Sequence, residues 1–289
     1  MPDSSLTLNE AAELLGVHYM TVYRYVRTGR LRAAKVGSVW QVAAADVAAM
    51  RDGRDGAVRV GGPPVGGPGH GRRRRRDYDV RMERRLLAGD EAGAWTIIEN
   101  AMTAGVDPEE LYLEVLSPAM TRIGDGWAAG DVSVADEHRA SVIVLRLIGR
   151  LGPRFARRGR TRGTVVLGAP PGDHHSVPVA LAADLLRGAG FGVVDLGADT
   201  PARSFVDAGR ASERLVGIGI NATTRDNGPA VADAVAAVHR DLRCPVVLGG
   251  QAIPDQATGL ALGGDETTND ARELIATFER LAASRRRAS

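Results

Sequence analysis

The chain has 289 residues, 44% hydrophobic and 25% charged, the length of roughly two ordinary domains with enough apolar content for real cores. No apolar block approaches the ~20 residues that cross a bilayer, the best, Val142–Leu147, being broken by Arg146. A single cysteine, Cys244, excludes an internal disulfide and a cysteine-based metal site.

The N-terminus, Met1-Pro2-Asp3-Ser4-Ser5, has no basic head followed by an apolar block, so a cytoplasmic protein with no membrane partner is expected. The net charge is only +2, but residues 1–77 hold 13 Lys/Arg against 7 Asp/Glu, leaving −4 for the remainder. That asymmetry predicts an N-terminal module that meets a polyanion and a body with a different task.

Residues 1–52 read as a compact module. Asn9–Leu15 forms a short helix that Gly16 breaks, and a second helix runs from about His18 to Arg27 before Gly29 stops it, which is helix-turn-helix spacing. Leu8, Ala11, Leu15, Val17, Val22 and Val26 fall on facing stripes, whereas His18, Thr21, Arg24 and Arg27 project from the other face of the second helix. Residues 31–42 predict a two-stranded wing turning at Gly37-Ser38, with a short helix from Ala44. Residues 53–77, rich in Gly and Pro and ending in Arg72–Arg76, predict a flexible linker. Contact of that arginine run with phosphates and simple solvation are equally open readings.

Residues 78–160 predict a four-helix bundle. Apolar residues recur at helical spacing (Ile97, Ile98, Met102; Leu111, Val115, Leu116, Met120, Ile123; Val142, Ile143, Leu147, Ile148, Leu151), with Asp90 and Asp107-Pro108 as helix starts and Gly89, Gly105 and Gly130 as separators. Residues 161–289 alternate short apolar strands, near 164–168, 192–196, 215–220 and 245–249, with helical stretches, the pattern of a Rossmann-like α/β domain with a buried parallel sheet. The expected fold class is thus multidomain, α and α/β. Ligands of such a sheet bind at the carboxyl ends of its strands.

The loop after the first of these strands carries Asp173-His174-His175-Ser176. A carboxylate that takes the far ring N–H of a histidine fixes its tautomer and raises its basicity as a metal ligand. Asp173 stands two residues before His175, whereas Gly172 holds that position for His174, which selects His175.

The motifs LTLNEAAELLGV, TVYRYVRTGRL and VWQV resemble the winged helix-turn-helix of the excisionase and MerR group. The resemblance implies binding of a double-stranded DNA operator, with His18, Thr21, Arg24 and Arg27 on the recognition helix and Lys35 and Ser38 on the wing. GAPPGDHHSVP, VVDLGADTP and LGGQAI resemble the Asp-x-His-x-x-Gly signature and following segments of cobalamin-binding domains. That resemblance implies His175 as lower axial ligand of cobalt, backed by Asp173, with Ser176, Gly219, Asn221, Gly249 and Gly250 around the cofactor's lower side. Trp127, nine intervening residues and Glu137-His138 resemble the Trp-x9-Glu-His motif of CarH-type cobalamin-dependent photoreceptor regulators. In that family the motif caps the upper face of adenosylcobalamin, here through Trp127, Val132, Glu137 and His138.

The implied protein is a light-responsive regulator, a repressor and not an enzyme, whose homo-oligomer, a tetramer in the dark, holds DNA until light breaks the cobalt–carbon bond. From the family patterns this chain departs at Pro178 for glycine, Gly219 for serine, and Ala128 for the histidine after the tryptophan. The competing readings are a light-independent cobalamin sensor, a corrinoid methyl-transfer protein, and a regulator that has lost its cofactor.

Overall fold

In the computed structural model, the described residues are 5–15, 22, 25–26, 31–36, 39–51, 69–157 and 159–288. They fall into two compact units, residues 1–68 and 69–289.

In the first unit, β1 (Ser5–Thr7), β2 (Ala33–Val36) and β3 (Val39–Ala43) form an antiparallel sheet in the order β1-β3-β2. The predicted wing pair is therefore present, and the N-terminal residues add a third strand. Helix α1 (Leu8–Leu15) starts at a capping box. The Thr7 N–H donates to Glu10 Oε2 at 2.7 Å, and the Glu10 N–H donates back to Thr7 Oγ1 at 3.3 Å. Helix α2 (Ala44–Arg51) closes the module over a core of Leu8, Ala11, Ala12, Val22, Leu31, Val42 and Val47. Val22, Tyr25 and Val26 are helical, and Val26 and Leu15 are half-buried, as their stripes predict.

The second unit opens with α3 (Gly69–Leu87). Arginines 72–76 are helical here rather than part of the expected linker, which corrects its end from 77. Arginine is a good helix former, and the Gly/Pro content that opposes a helix stops at Gly71. Helix α4 (Glu91–Thr103) is capped by Asp90, whose carboxylate accepts the Gly93 N–H. A third rod runs through α5 (Pro108–Leu111), a π-helical turn (Tyr112–Leu116) and α6 (Ser117–Ala129), ending at left-handed Gly130. Helix α7 (Val134–Leu151), capped by Ser133, completes the predicted four-helix bundle. Arg122 of α6 bonds to Asp79 and Glu83 of α3. Val142 departs from expectation: it lies on the outer face of α7 with Val134, and both are exposed.

The sheet consists of β4 (Thr164–Gly168), β5 (Gly192–Asp195), β6 (Leu215–Asn221), β7 (Val246–Gly249) and β8 (Glu266–Thr268), all parallel, in the order β5-β4-β6-β7-β8. Successive residues of β4 feed opposite layers, as strand geometry requires. Val165 and Leu167 pack with α8 (Ser176–Gly188) and α12 (Ala271–Ala288), whereas Val166 packs with α9 (Ala202–Ala211) and α10 (Gly228–Leu242). The short α11 (Gln256–Ala261) precedes β8. β8 reads Glu-Thr-Thr and was not expected, since it has no apolar run to announce it.

Bundle and sheet share one seam. Leu185 and Val177 of α8 enter the bundle core. Beside them the Tyr112 hydroxyl donates to the buried Asp184 carboxylate at 2.8 Å, Arg187 bonds its other oxygen at 2.8 Å, and the Tyr112 ring packs on Phe155 with centroids 4.6 Å apart. The π-helical turn inserts one extra residue into the rod at Tyr112 and so resets its facing. Tyr112→Phe removes one of the two donors to a buried carboxylate and is expected to cost about 1–3 kcal/mol. Urea unfolding of the variant beside the wild type measures this; an unchanged midpoint would show that the hydroxyl contributes nothing to the seam.

Candidate functional site

The strand order places a topological switch between β4 and β6, which lead in opposite directions to their crossover helices. The loops leaving these two strands meet at Asp173. Its side chain is fully buried, and a buried carboxylate must be hydrogen-bonded throughout. Oδ1 accepts the His175 ring at 2.7 Å from Nδ1 and the His175 N–H at 3.1 Å. Oδ2 accepts the N–H groups of Thr223 at 2.5 Å and Thr224 at 3.1 Å, from the loop after β6. Two further bonds hold the loop: Asp199 accepts the Gly172 N–H, and Asn227 donates to the Pro171 carbonyl, each at 2.8 Å.

Electrostatics follow from this geometry. Burial pushes the Asp173 carboxyl up, but the bonds from the His175 ring, Thr223, Thr224 and the His175 N–H outweigh it and hold the group at about 2. The bond to Asp173 raises the His175 imidazole, against the opposing effect of its own burial. Asp173 and, from the bundle, Glu137 add their charge to the same rise. The charge of a bundle carboxylate is thus felt at the β4–α8 loop.

His175 stands at the N-cap of α8. Its side chain is 41% exposed, and with Nδ1 committed to Asp173, Nε2 carries no hydrogen bond among the described residues. An imidazole oriented and made basic by a carboxylate, with its other nitrogen free, is the donor set that suits an axial metal ligand. The residues present therefore fit a metal ligand at His175, the residue that the loop's spacing selects, and so fit the cobalt that the resemblance implies there. His174 is exposed and does not share the carboxylate.

On the bundle side, Trp127 occupies the last turn of α6 and is 47% exposed, unusual for a residue of that size. Val132 packs beside Gly126, where any side chain would meet it. Glu137 Oε1 accepts the Ser141 hydroxyl at 2.7 Å, and Oε2 lies 2.9 Å from His138 Nδ1. His138 is otherwise open, 73% exposed.

The lower-side glycines are fixed by their own surroundings. A Cβ at Gly250 (φ +104) would strike the Ala222 backbone, and one at Gly249 would strike the Thr268 carbonyl. Their lack of a side chain is demanded by the chain's own neighbouring strands and loops. A Cβ at Gly219 would strike Leu167 beside Phe278, so Leu167 fills the place where the resemblance puts a serine. Ser176 begins α8, and Asn221 ends β6 with its amide donating to Thr223 Oγ1 at 3.1 Å. Thr223 and Thr224 were missed by the sequence reading. They act through backbone N–H groups, and the polar run Asn221–Asn227 after the third strand was the available signal.

Of the residues expected to contact DNA, His18, Thr21, Arg24, Arg27 and Ser38 lie outside the described residues. Lys35 is on β2, its backbone opposite Trp40.

The comparisons with known proteins agree with this division. Residues 80–151 and 163–276 each match the B12 binding domain. Residues 5–55 match a helix-turn-helix domain. A trimethylamine corrinoid protein of Methanosarcina acetivorans is 33% identical over 121 residues, 41% of this chain and 56% of that protein. The dimethylamine corrinoid protein of Methanosarcina barkeri is 28% identical over 186 residues, 62% of this chain and 85% of that one. The structure of the Methanosarcina barkeri monomethylamine corrinoid protein superposes with a TM-score of 0.60 at 18% identity, covering 69% of this chain and 95% of that one, which establishes a shared fold. The chain spans little more than half the length of the first of these relatives. No described helix is long and apolar enough to cross a membrane.

Asp173→Ala strands three backbone N–H groups, those of His175, Thr223 and Thr224, and is expected to cost about 2–3 kcal/mol. A carboxyl depressed to about 2 when folded contributes stability that is present above about pH 4 and lost as pH falls toward 2. The raised His175 works in the opposite window: its contribution is present below about pH 6.5 and lost as pH rises through the folded-state value. Urea titrations of cofactor-free protein from neutral to acid pH check the carboxylate. Asp173→Asn should flatten the acid limb, and a variant with the wild-type limb would assign that limb to other groups.

Proposed function

We propose that this chain is a cobalamin-dependent transcriptional regulator, a repressor rather than an enzyme, in which the state of the cofactor sets DNA binding through assembly. The observation that carries the reading is that one chain joins a segment matching a helix-turn-helix domain to a site where Asp173 holds the His175 ring through Nδ1 and leaves Nε2 open. A methyl carrier has no use for a DNA reader.

His175 would hold cobalt from below through Nε2. Trp127, with its large exposed ring, would cover the upper face together with Val132, Glu137 and His138, and its size favours an adenosyl over a methyl group. Adenosylcobalamin supplies a cobalt–carbon bond that light can break. Glu137 keeps His138 beside the upper face through Nδ1, leaving Nε2 open. Ala128 offers no ligand next to Trp127, so any protein ligand to the upper face has to come from elsewhere in this chain. Homo-oligomerisation would join several DNA readers, and loss of the oligomer would remove their combined avidity.

The second reading, a corrinoid protein of methyl transfer, is favoured by the relatives, which are named as tri- and dimethylamine corrinoid proteins. The experiment that separates the readings loads the purified protein with adenosylcobalamin in the dark and removes free cofactor. Absorption, sedimentation and binding to promoter DNA are then recorded before and after green illumination. Retained cofactor, a light-driven spectral shift and release from DNA are expected. A spectrum and DNA affinity that ignore light would leave a light-independent sensor. Equal uptake of methylcobalamin, with DNA affinity indifferent to either cofactor, would support the methyl carrier.

A further inference from the structure

The connector between bundle and sheet, residues 152–163, contains five arginines and no acidic residue, within a body, residues 78–289, whose net charge is −4. Its two ends are fixed. Phe155 is buried against Tyr112 and lies next to Gly188 at the end of α8. At the other end the Arg162 N–H donates to the Gly190 carbonyl, and Arg214 bonds the Thr161 carbonyl and hydroxyl at 3.0 and 2.9 Å.

Between and beside these anchors, Arg154, Arg157 and Arg160 are exposed. No hydrogen bond or ion pair engages their guanidinium groups among the described residues. The carboxylates shown beside the connector are already engaged: Glu279 by Arg162 at 2.7 Å, and Asp184, next to Gly152, by Tyr112 and Arg187. Helix α12 reaches this edge as well, its Glu279 being the partner of Arg162. All of this lies at the amino ends of the strands. β4, five residues and so roughly 16 Å long, separates it from the Asp173–His175 loop.

We propose that this arginine edge is a second DNA-contacting surface, one that grips the phosphate backbone of duplex DNA without reading its bases. The inference rests on the DNA-binding half of the proposed function. Unpaired arginine forks match phosphate geometry, and phosphate contacts position a protein without selecting sequence. A helix-turn-helix on the same chain supplies the polyanion at high local concentration. Because the surface lies at the far end of β4 from His175, cofactor on His175 leaves it uncovered.

The test uses the full-length protein and a mixed-sequence DNA duplex, with affinity measured across a salt series. Each phosphate contact contributes about 0.9 to the slope of log K against log salt. Replacing Arg154, Arg157 and Arg160 together by Gln is expected to reduce that slope by roughly 2–3 and leave cobalamin uptake unchanged. Replacing all three by Lys should keep the slope. A Gln variant with the wild-type slope overturns the proposal, as does a Gln variant that loses binding only to anionic lipid vesicles. Arg24→Ala with Arg27→Ala, run in parallel, separates the two failures. If that pair weakens duplex binding while the Gln variant does not, the DNA reading stands and the arginine edge falls. If the wild-type protein binds no duplex, both fall.

Discussion

A buried carboxylate in an α/β domain has to collect donors or lose its charge, and Asp173 collects four. Two come from the backbone after β6 and two from His175, so one side chain closes the gap between the loops at the switch point of the sheet. The same oxygen that accepts the His175 ring fixes which imidazole nitrogen is left for a ligand. Folding and site chemistry are therefore one requirement here: the loop cannot take another shape without stranding the carboxylate, and the carboxylate cannot be removed without freeing the histidine.

The bundle enters the site through the seam with α8. Tyr112 and Phe155 hold one end of that helix by way of Asp184 and Gly188, while His175 caps the other. Helix α8 therefore works as a rigid spacer between the seam and the cofactor loop. Helix α7 crosses the same seam with Ile148 and Leu151 buried in the bundle core, and near its start carries Glu137, the bundle carboxylate felt at His175. Helix α6, which carries Trp127, is tied to α3 through Arg122.

Much of this was legible in the sequence, for physical reasons. Three of the four bundle helices show because Ile98 with Met102, Leu116 with Ile123, and Ile143 with Leu147 recur at helical spacing against the bundle core. Strands β4, β6 and β7 show because parallel strands buried on both faces read as unbroken apolar runs, and the half-buried edge strand β5 shows through Val193-Val194. His175 was selected over His174 by its spacing from Asp173, and the hydrogen bond at 2.7 Å agrees. What stayed hidden acts through the backbone or through long-range partners. Thr223 and Thr224 contribute only N–H groups, β8 has no apolar signature, and the role of Tyr112 depends on Asp184, far away in sequence. Gly249 and Gly250 show that a glycine can be obligatory for reasons the sequence does not distinguish, here backbone crowding from Thr268 and Ala222.

The central claim is that His175 Nε2 binds cobalt. Its most direct test is electron paramagnetic resonance of the protein loaded with cob(II)alamin, comparing unlabelled chain with chain carrying 15N-histidine. A protein imidazole on cobalt predicts superhyperfine splitting that changes from the 14N to the 15N pattern on labelling and is absent in His175→Ala. Splitting that ignores the label, so that the nitrogen belongs to the cofactor's own base, would contradict the account.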